Sequence, residues 1–349
     1  MKVAIRLSGV QVDEDGHIAG KDAGATLVRR LLRLFPGSQV VGMQFRHCDG
    51  FDLVPVEMIN GNDTVLINMD VSDSVGMWRR LRATCDDPRI MNFVWFSTSQ
   101  ITTKVERAAL ALSCALFPTF ANSEHTATEV KEVVDALTVR SIAEEAQIEW
   151  VNLGFRIEHV QPRREPETPV VLYPAIYLSE RKRPQLFVDV VSRVAKRTPI
   201  QVEARLHETH LIRNLAMDLS RHKWAWVGPL TATREGYWQA LSRTTAFLAT
   251  SVEESYGLEY IEALAAGAVG VFPDLPWARE ILPIGYPFFY KTSREAEELL
   301  YRAVTDTAAC RRELDSCSDG DFSAWLQARH SDDQFEKAIL DRVHGWFGV

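Results

Sequence analysis

Paired cysteines are absent from this chain. Its 349 residues include five cysteines, Cys48, Cys85, Cys114, Cys310 and Cys317, an odd number with no CxxC spacing and no histidine-rich neighbourhood. That excludes a zinc ribbon or a disulfide framework and fits a reducing, cytoplasmic setting. Long apolar runs are absent too. No segment approaches 18 uninterrupted apolar residues, and the opening MKVAIRLSGVQVDED is broken by Arg6, so neither a spanning helix nor a secretory leader is expected. Basic charge is in deficit, with 39 Lys and Arg against 47 Asp and Glu and a net charge of −8. That balance gives no global invitation to nucleic acid or anionic lipid, although it leaves room for a local basic patch, and stable membrane insertion is not expected. Finally, no acidic pair follows a strand in the manner of a magnesium site. Asp86-Asp87 and Asp332-Asp333 lie in polar segments and read as surface charges, so no metal is expected.

What the chain has is alternation. Strand-like runs VAIRL (3–7), SQVVGMQF (38–45), TVLINMD (64–70), MNFVWFS (91–97) and TFANS (119–123) are interleaved with helical patterns such as LVRRLLRLF (27–35) and ERAALALSCAL (106–116). A second series follows QPRREPETP (161–169), which carries three prolines and reads as a linker. It runs PVVLYPAIYL (169–178), a helix over 185–197, PIQVEARL (199–206), one helix over 210–222, WAWVG (224–228), a helix over 235–244 and TAFLATS (245–251). Alternation of this kind predicts α/β units around mainly parallel sheets, with the ligand crevice at the carboxyl ends of the strands. Asp70, Ser97 and Ser123 each end such a run. Length and a hydrophobic content of 46% allow two cores. The expected domains are 1–163, 169–328 and a terminal segment 329–349, whose Phe335, Ile339, Val343 and Trp346 form an apolar helix face returning to the first domain.

One stretch stands out, SVEESYGLEYIEALAAGAVGVF (251–272), a strand end, a tight loop and a helix stopped at Gly267. Ser255 or Gly257 is the expected N-cap. Leu258, Ile261, Leu264 and Ala265 form an apolar stripe, and Glu262 sits beside it. Four carboxylates crowd a segment otherwise built for burial, and Glu253 and Glu259 are expected to face solvent.

This stretch resembles the signature of the retaining, metal-independent glycosyltransferases of family four: Glu254, the seven residues SYGLEYI, then Glu262, followed by ALAAGAVGVFPDLPWAREIL. WVGPLTATREGYWQALSRTTAFLATS resembles the family's Gly-Pro turn, helix and strand leading into that site, with Gly228 in the turn. Looser likeness covers GKDAGATLVRRLLRLF, which resembles the Gly-rich loop opening the first helix, with TFANSEHTATEV, VNLGFRIEHVQP and SERKRPQLF. The family's Gly-Arg pair after the first strand of the second domain is replaced by Tyr173, Pro174 and Ala175. A diphosphate contact then falls to Arg181, Lys182 or Arg183, of which Lys182 matches the family's lysine.

The resemblance implies two facing Rossmann-like domains of the GT-B type, the second holding a nucleotide-sugar donor, UDP- or GDP-linked, and the first a hydroxylated acceptor, with no further cofactor. Glu262 would accept hydrogen bonds from the ribose. Glu254 would face the sugar, and the backbone from Ser255 through Tyr256 and Gly257 to Leu258 would supply amides. Gly20, Gly24, Ser97 and His125 fall on the acceptor side. Were the reaction inverting, Asp22 or Asp70 would be the base, although Asp22 equally suits a helix cap and Asp70 a turn. The acceptor is left open among a small molecule, a glycan and a hydroxymethylated DNA base. MWRRLRA (77–83) offers either a phosphate-contacting surface or a solvated helix face. A sugar-nucleotide epimerase or hydrolase and a silent binding module are the rival readings, each disfavoured by the Glu254 and Glu262 pair.

Overall fold

The computed structural model describes residues 2–20, 22–231 and 233–348; Lys21 and Ala232, which fall inside two of the quoted stretches, lie outside them. The chain divides into one unit of Met1–Asn152 with Phe335–Val349 and another of Leu153–Gln334.

In the first unit, strands β1 (Lys2–Arg6), β2 (Gln39–Val41), β3 (Arg46–His47), β4 (Asp52–Val54), β5 (Thr64–Asn68), β6 (Arg89–Val94), β7 (Thr119–Ala121) and β8 (Ile148–Trp150) form one sheet in the order β3-β4-β2-β1-β5-β6-β7-β8. Among the described residues its only antiparallel pairing is β3 with β4. In the β1 and β5 register, Ala4 faces Leu66 and Ile5 faces Ile67. These four side chains are fully buried, as sheets covered on both faces require, which is why the strands read as continuous apolar runs. Helix Ala23–Leu34 covers the sheet with Leu27, Val28 and Leu31. Leu110, Val130 and Val134 join a second cluster from helices Lys104–Leu116 and Glu124–Leu137. SQVVGMQF is a strand only as far as Val41, and Met43 and Phe45 beyond it stand exposed, with no layer to cover them.

The second unit has β9 (Val170–Tyr173), β10 (Gln201–Leu206), β11 (Ala225–Pro229), β12 (Ala246–Leu248), β13 (Val269–Pro273) and β14 (Phe289–Tyr290), in the parallel order β11-β10-β9-β12-β13-β14. Helix Pro184–Arg197 starts on a proline, whose missing N–H is no loss at that position, and buries Phe187, Val190, Val191 and Val194. The single helix expected over 210–222 is instead two, Glu208–Leu211 and Asn214–Ser220. Arg213 between them is extended at φ −73° and ψ 145°, and Ile212 is exposed, so the inward stripe restarts only at Ala216 and Leu219.

Residues 153–169 also differ from a loose linker. Phe155 is buried with its ring 6.4 Å from Trp238, and its backbone bonds to His330 and Asp332. Further on, the Arg163 guanidinium donates to the Thr244 carbonyl and the Arg164 N–H to the Ser242 carbonyl. The second unit therefore begins ahead of residue 163, because polar as well as apolar groups of this stretch are satisfied there. The helix Asp332–Phe347 is counted with the first unit from Phe335 onward. Phe335, Ile339 and Val343 are buried, and the Phe335 ring lies 6.2 Å from Phe93 with the Arg30 guanidinium 4.3 Å from its centre.

Candidate functional site

The loop leaving β12 is tied to the segment before helix Pro184–Arg197. Thr250 Oγ1 donates to the Lys182 carbonyl at 2.6 Å, the Val252 N–H to the Arg181 carbonyl at 2.9 Å, and Ser251 Oγ to the Glu253 carbonyl at 2.8 Å. Tyr290 OH donates to the Ala249 carbonyl at 2.8 Å. The loop ends at Gly257, with φ 81° and ψ 48°, which caps helix Leu258–Ala265 through its backbone shape and no side-chain bond. A Cβ there would lie 2.6 Å from the Tyr260 ring, so glycine is required for space as well as for φ. Gly257, not Ser255, is thus the cap. Gly267 ends the turn at φ 84°.

Two buried carboxylates result. Glu254 accepts from Lys182 Nζ and, at 2.9 Å, from Tyr260 OH. Lys182 Nζ also donates to Glu259 at 2.8 Å. Glu259, expected in solvent, instead shares the ammonium, because as the second residue of the helix it lies within reach of the same Lys182 Nζ that bonds Glu254. Burial pulls the Lys182 ammonium down, but Glu259 and Glu254 together outweigh it and hold it above its ordinary value. Burial likewise raises the Glu254 carboxyl against the opposing pull of Lys182. Behind this knot, Tyr260 stacks between Phe247 at 5.9 Å and Trp277 at 5.4 Å, an aromatic wall that lowers the local dielectric.

Glu262, 3% exposed, accepts from Arg234 and from Tyr237 OH at 2.7 Å. Burial raises its carboxyl, opposed first by Arg234. Arg234 and Tyr237 stand three positions apart on helix Arg234–Leu241, which puts both on one face. Sequence reasoning missed this pair and missed Glu259 and Tyr260, although that spacing and the seven-residue spacer carried the signal. It also missed His330. Tyr256 OH lies 2.7 Å from His330 Nδ1, and burial pushes that imidazole down to about 3.

The remaining expected residues are more scattered. Arg181 is half-buried, while Arg183 is exposed in a left-handed conformation at φ 42°. Gly228 closes β11 where a Cβ would strike the Trp226 ring at 2.4 Å. Tyr173, standing where the family's pair would be, is buried, and its hydroxyl donates to the Tyr177 carbonyl at 3.1 Å.

In the first unit, Asp22 accepts from the Ala25 N–H at 2.9 Å as the cap of the first helix. Gly24 leaves room for Leu7, 2.9 Å from where a Cβ would be, and Gly20 takes φ 95°. Asp70 accepts from the Ser8 N–H and hydroxyl at 2.7 and 2.8 Å and pairs with Arg6 at 3.4 Å. Ser97 Oγ donates to Glu129 at 3.1 Å, and His125 Nε2 lies 3.5 Å from the same carboxylate. The MWRRLRA stretch turns Met77 and Leu81 inward with Trp78 packed beside them, while Arg80 pairs with Glu57 and Arg82 with Asp86. Two of its three arginines are thus in ion pairs, both at the exposed surface. Among the described residues no group of three His, Cys, Asp or Glu is placed to hold a metal, and no helix is long and apolar enough to cross a membrane.

No family model and no curated protein matches the chain. Solved structures do resemble it. Sucrose-phosphate synthase from Thermosynechococcus elongatus is 12% identical with a TM-score of 0.72, covering 99% of both chains. HepE of Anabaena, in complex with UDP and glucose, is 13% identical with a TM-score of 0.70, covering 99% of this chain and 100% of that one. TarM is 14% identical with a TM-score of 0.64 over 83% of this chain, which spans only 56% of TarM's length. Identities this low carry the fold alone, an α/β pair of Rossmann-like parallel-sheet domains of the GT-B type.

Proposed function

We propose that the second unit holds a nucleotide-diphosphate sugar and that the chain transfers this sugar to a hydroxyl group, without a metal and with retention at the anomeric carbon. The observation that carries the reading is the pair of buried carboxylates, Glu254 and Glu262, at one strand-to-helix junction. A buried ionised carboxylate is costly, and here each is held by a cation and a tyrosine hydroxyl on one side. A carboxylate has about four acceptor sites, so Glu262 keeps about two for the vicinal hydroxyls of a ribose. The likeness to a fold solved with UDP and glucose supports a UDP-sugar as donor.

In this reading Glu254 faces the sugar and stabilises the positive charge that develops at the anomeric carbon. Lys182 commits two of its three N–H donors to Glu254 and Glu259 and offers the third to the diphosphate. Arg181 and the amides at the start of helix Leu258–Ala265 add to it, so that charge growing on the leaving oxygen meets fixed donors. The bond from the anomeric carbon to the diphosphate oxygen breaks, and the acceptor oxygen bonds to that carbon on the same face. The leaving phosphate takes the acceptor's proton. Five free cysteines suit a reducing compartment for this work.

A thermal-shift panel of UDP-, GDP-, ADP- and dTDP-sugars tests the reading. One nucleotide class should stabilise the chain, by about 2.7 kcal/mol at a hundred times its Kd, and Glu262→Ala and Glu262→Gln should weaken that response. If no nucleotide sugar raises the melting temperature, the donor site is not there.

A further inference from the structure

The first unit contains a cavity of about 520 Å³ that the donor reading leaves unused. It opens where β1 and β2 end, bounded also by residues of β3, β4 and helix Ser74–Leu81, and its volume suits a small-molecule guest. Val41 and Leu53 contribute apolar wall. The charged lining is of one sign: among the described residues that line the cavity, three are arginines, Arg6, Arg46 and Arg80, none is acidic, and Ser8 and Gln44 are the neutral polar ones.

The three cations are not equivalent. Arg6 is built in, its side chain 15% exposed, with Nη1 donating to Asn68 at 3.0 Å and lying 3.4 Å from Asp70, and Nη2 donating to Asp73 at 2.7 Å. Its charge is already matched, so it serves as a fixed wall. Arg80 pairs with Glu57, but both side chains are more than half exposed, and such a pair is worth little against a better partner. Arg46 donates to the Glu14 carbonyl at 2.7 Å and has no carboxylate partner among the described residues. Ser8, whose hydroxyl and N–H are both turned to Asp70, fixes the end of β1 beside Arg6.

An uncompensated guanidinium at a half-enclosed cavity is a receptor for an oxyanion, since its planar fork matches the two oxygens of a phosphate or carboxylate. We propose that this cavity binds the oxyanion of a small polyhydroxylated molecule, with Arg46 as its principal contact, Arg80 released from Glu57 as the second, and the apolar wall against the carbon skeleton. That the molecule is the acceptor of a sugar rests on the transfer reading above; that it binds here does not.

Isothermal titration of the full-length chain, without any nucleotide, with glucose 6-phosphate, glucuronate, glucose and inorganic phosphate tests this. At least one of the two sugar anions should bind about tenfold or more tightly than glucose and than inorganic phosphate, and which one does so tells a phosphate guest from a carboxylate guest. Arg46→Ala should weaken it by about tenfold, the scale of one charge-assisted hydrogen bond, and Arg46→Lys should recover part of the loss. Arg46 sits on a two-residue strand at the sheet edge and is half-buried, so its variants should fold. Equal affinity for glucose and its anions, inorganic phosphate binding as tightly as the sugar anions, or an Arg46→Ala protein that keeps its affinity would each overturn the proposal. Sugar anions that bind as expected to a chain insensitive to every nucleotide sugar would instead sink the donor site and leave this one standing.

Discussion

Replacing Lys182 by methionine keeps the side chain's length and removes its charge. In the folded protein the ammonium stands between Glu254 and Glu259, with 17% of the Lys182 side chain exposed against 10% and 32% for the two carboxylates. Removing one partner of a buried pair costs about 3–5 kcal/mol. Two features reduce this: Glu259 reaches water, and Glu254 can take up a proton, so the expected loss near neutral pH is about 2–3 kcal/mol. For a unit of this size that is a fall in Tm of about 5–10 °C. The loss should depend on pH in a definite direction. Without the ammonium, the Glu254 carboxyl in the folded state lies still further above its unfolded value, so the folded state binds the proton more tightly than the unfolded chain does. Stability relative to the parent protein is therefore regained as pH falls from 7 towards 5 and lost as it rises. The double variant Lys182→Met with Glu254→Gln, which leaves no uncompensated charge at Glu254, should recover much of the loss. Thermal melts followed by circular dichroism at pH 5, 6 and 7 measure all of this. A deficit that is the same at every pH, or a double variant no more stable than the single one, would refute the idea that Lys182 is held there to balance buried charge.

Two further outcomes are expected. Gly257→Ala combines a left-handed backbone at φ 81° with a Cβ 2.6 Å from Tyr260, so it should lose more than about 2 kcal/mol in urea unfolding, with the slope unchanged. An alanine variant as stable as the parent would show that the loop relaxes freely. His330 is kept neutral down to about 3 by burial, so below its ordinary value of 6.5 the unfolded chain binds a proton that the folded chain refuses. Stability should then fall by up to about 1.4 kcal/mol per pH unit from about pH 6.5 downward, and His330→Gln should flatten that part of the profile; parallel profiles would count against it.

The fold was legible because parallel sheets covered on both faces write themselves as short apolar runs, as TVLIN and VGVF do. It was misread where a pattern lacked the layer it implied. HLIRNLAMDLSRH has helical periodicity throughout, yet Ile212 meets no core and Arg213 turns out of the helix. QPRREPETP looked like a linker by composition, yet Arg163 and Arg164 find carbonyl partners on the turn and helix end around Ser242 to Thr244. At the site, Glu254 and Glu262, both buried, were singled out by the family resemblance of the stretch around SYGLEYI. Glu259 was not, since its partner Lys182 lies far away in sequence and nothing local tells a shared ammonium from open solvent.

Local chemistry therefore determined which residues were available: two carboxylates flanking SYGLEYI, a glycine whose φ only glycine takes easily, an alternation that demands parallel strands. The tertiary structure decided which of them meet. Sheet order brings the loop after β12 to the segment after β9, because these strands are neighbours, and so sets Lys182 against Glu254 and Glu259. In the first unit, the order β3-β4-β2-β1 and the helix Ser74–Leu81 gather Arg6, Arg46 and Arg80 around one cavity, although no spacing in the sequence connects them. Charge pairing inside a protein acts over a few ångströms and is indifferent to separation along the chain, so it could be settled only once the strands had been placed.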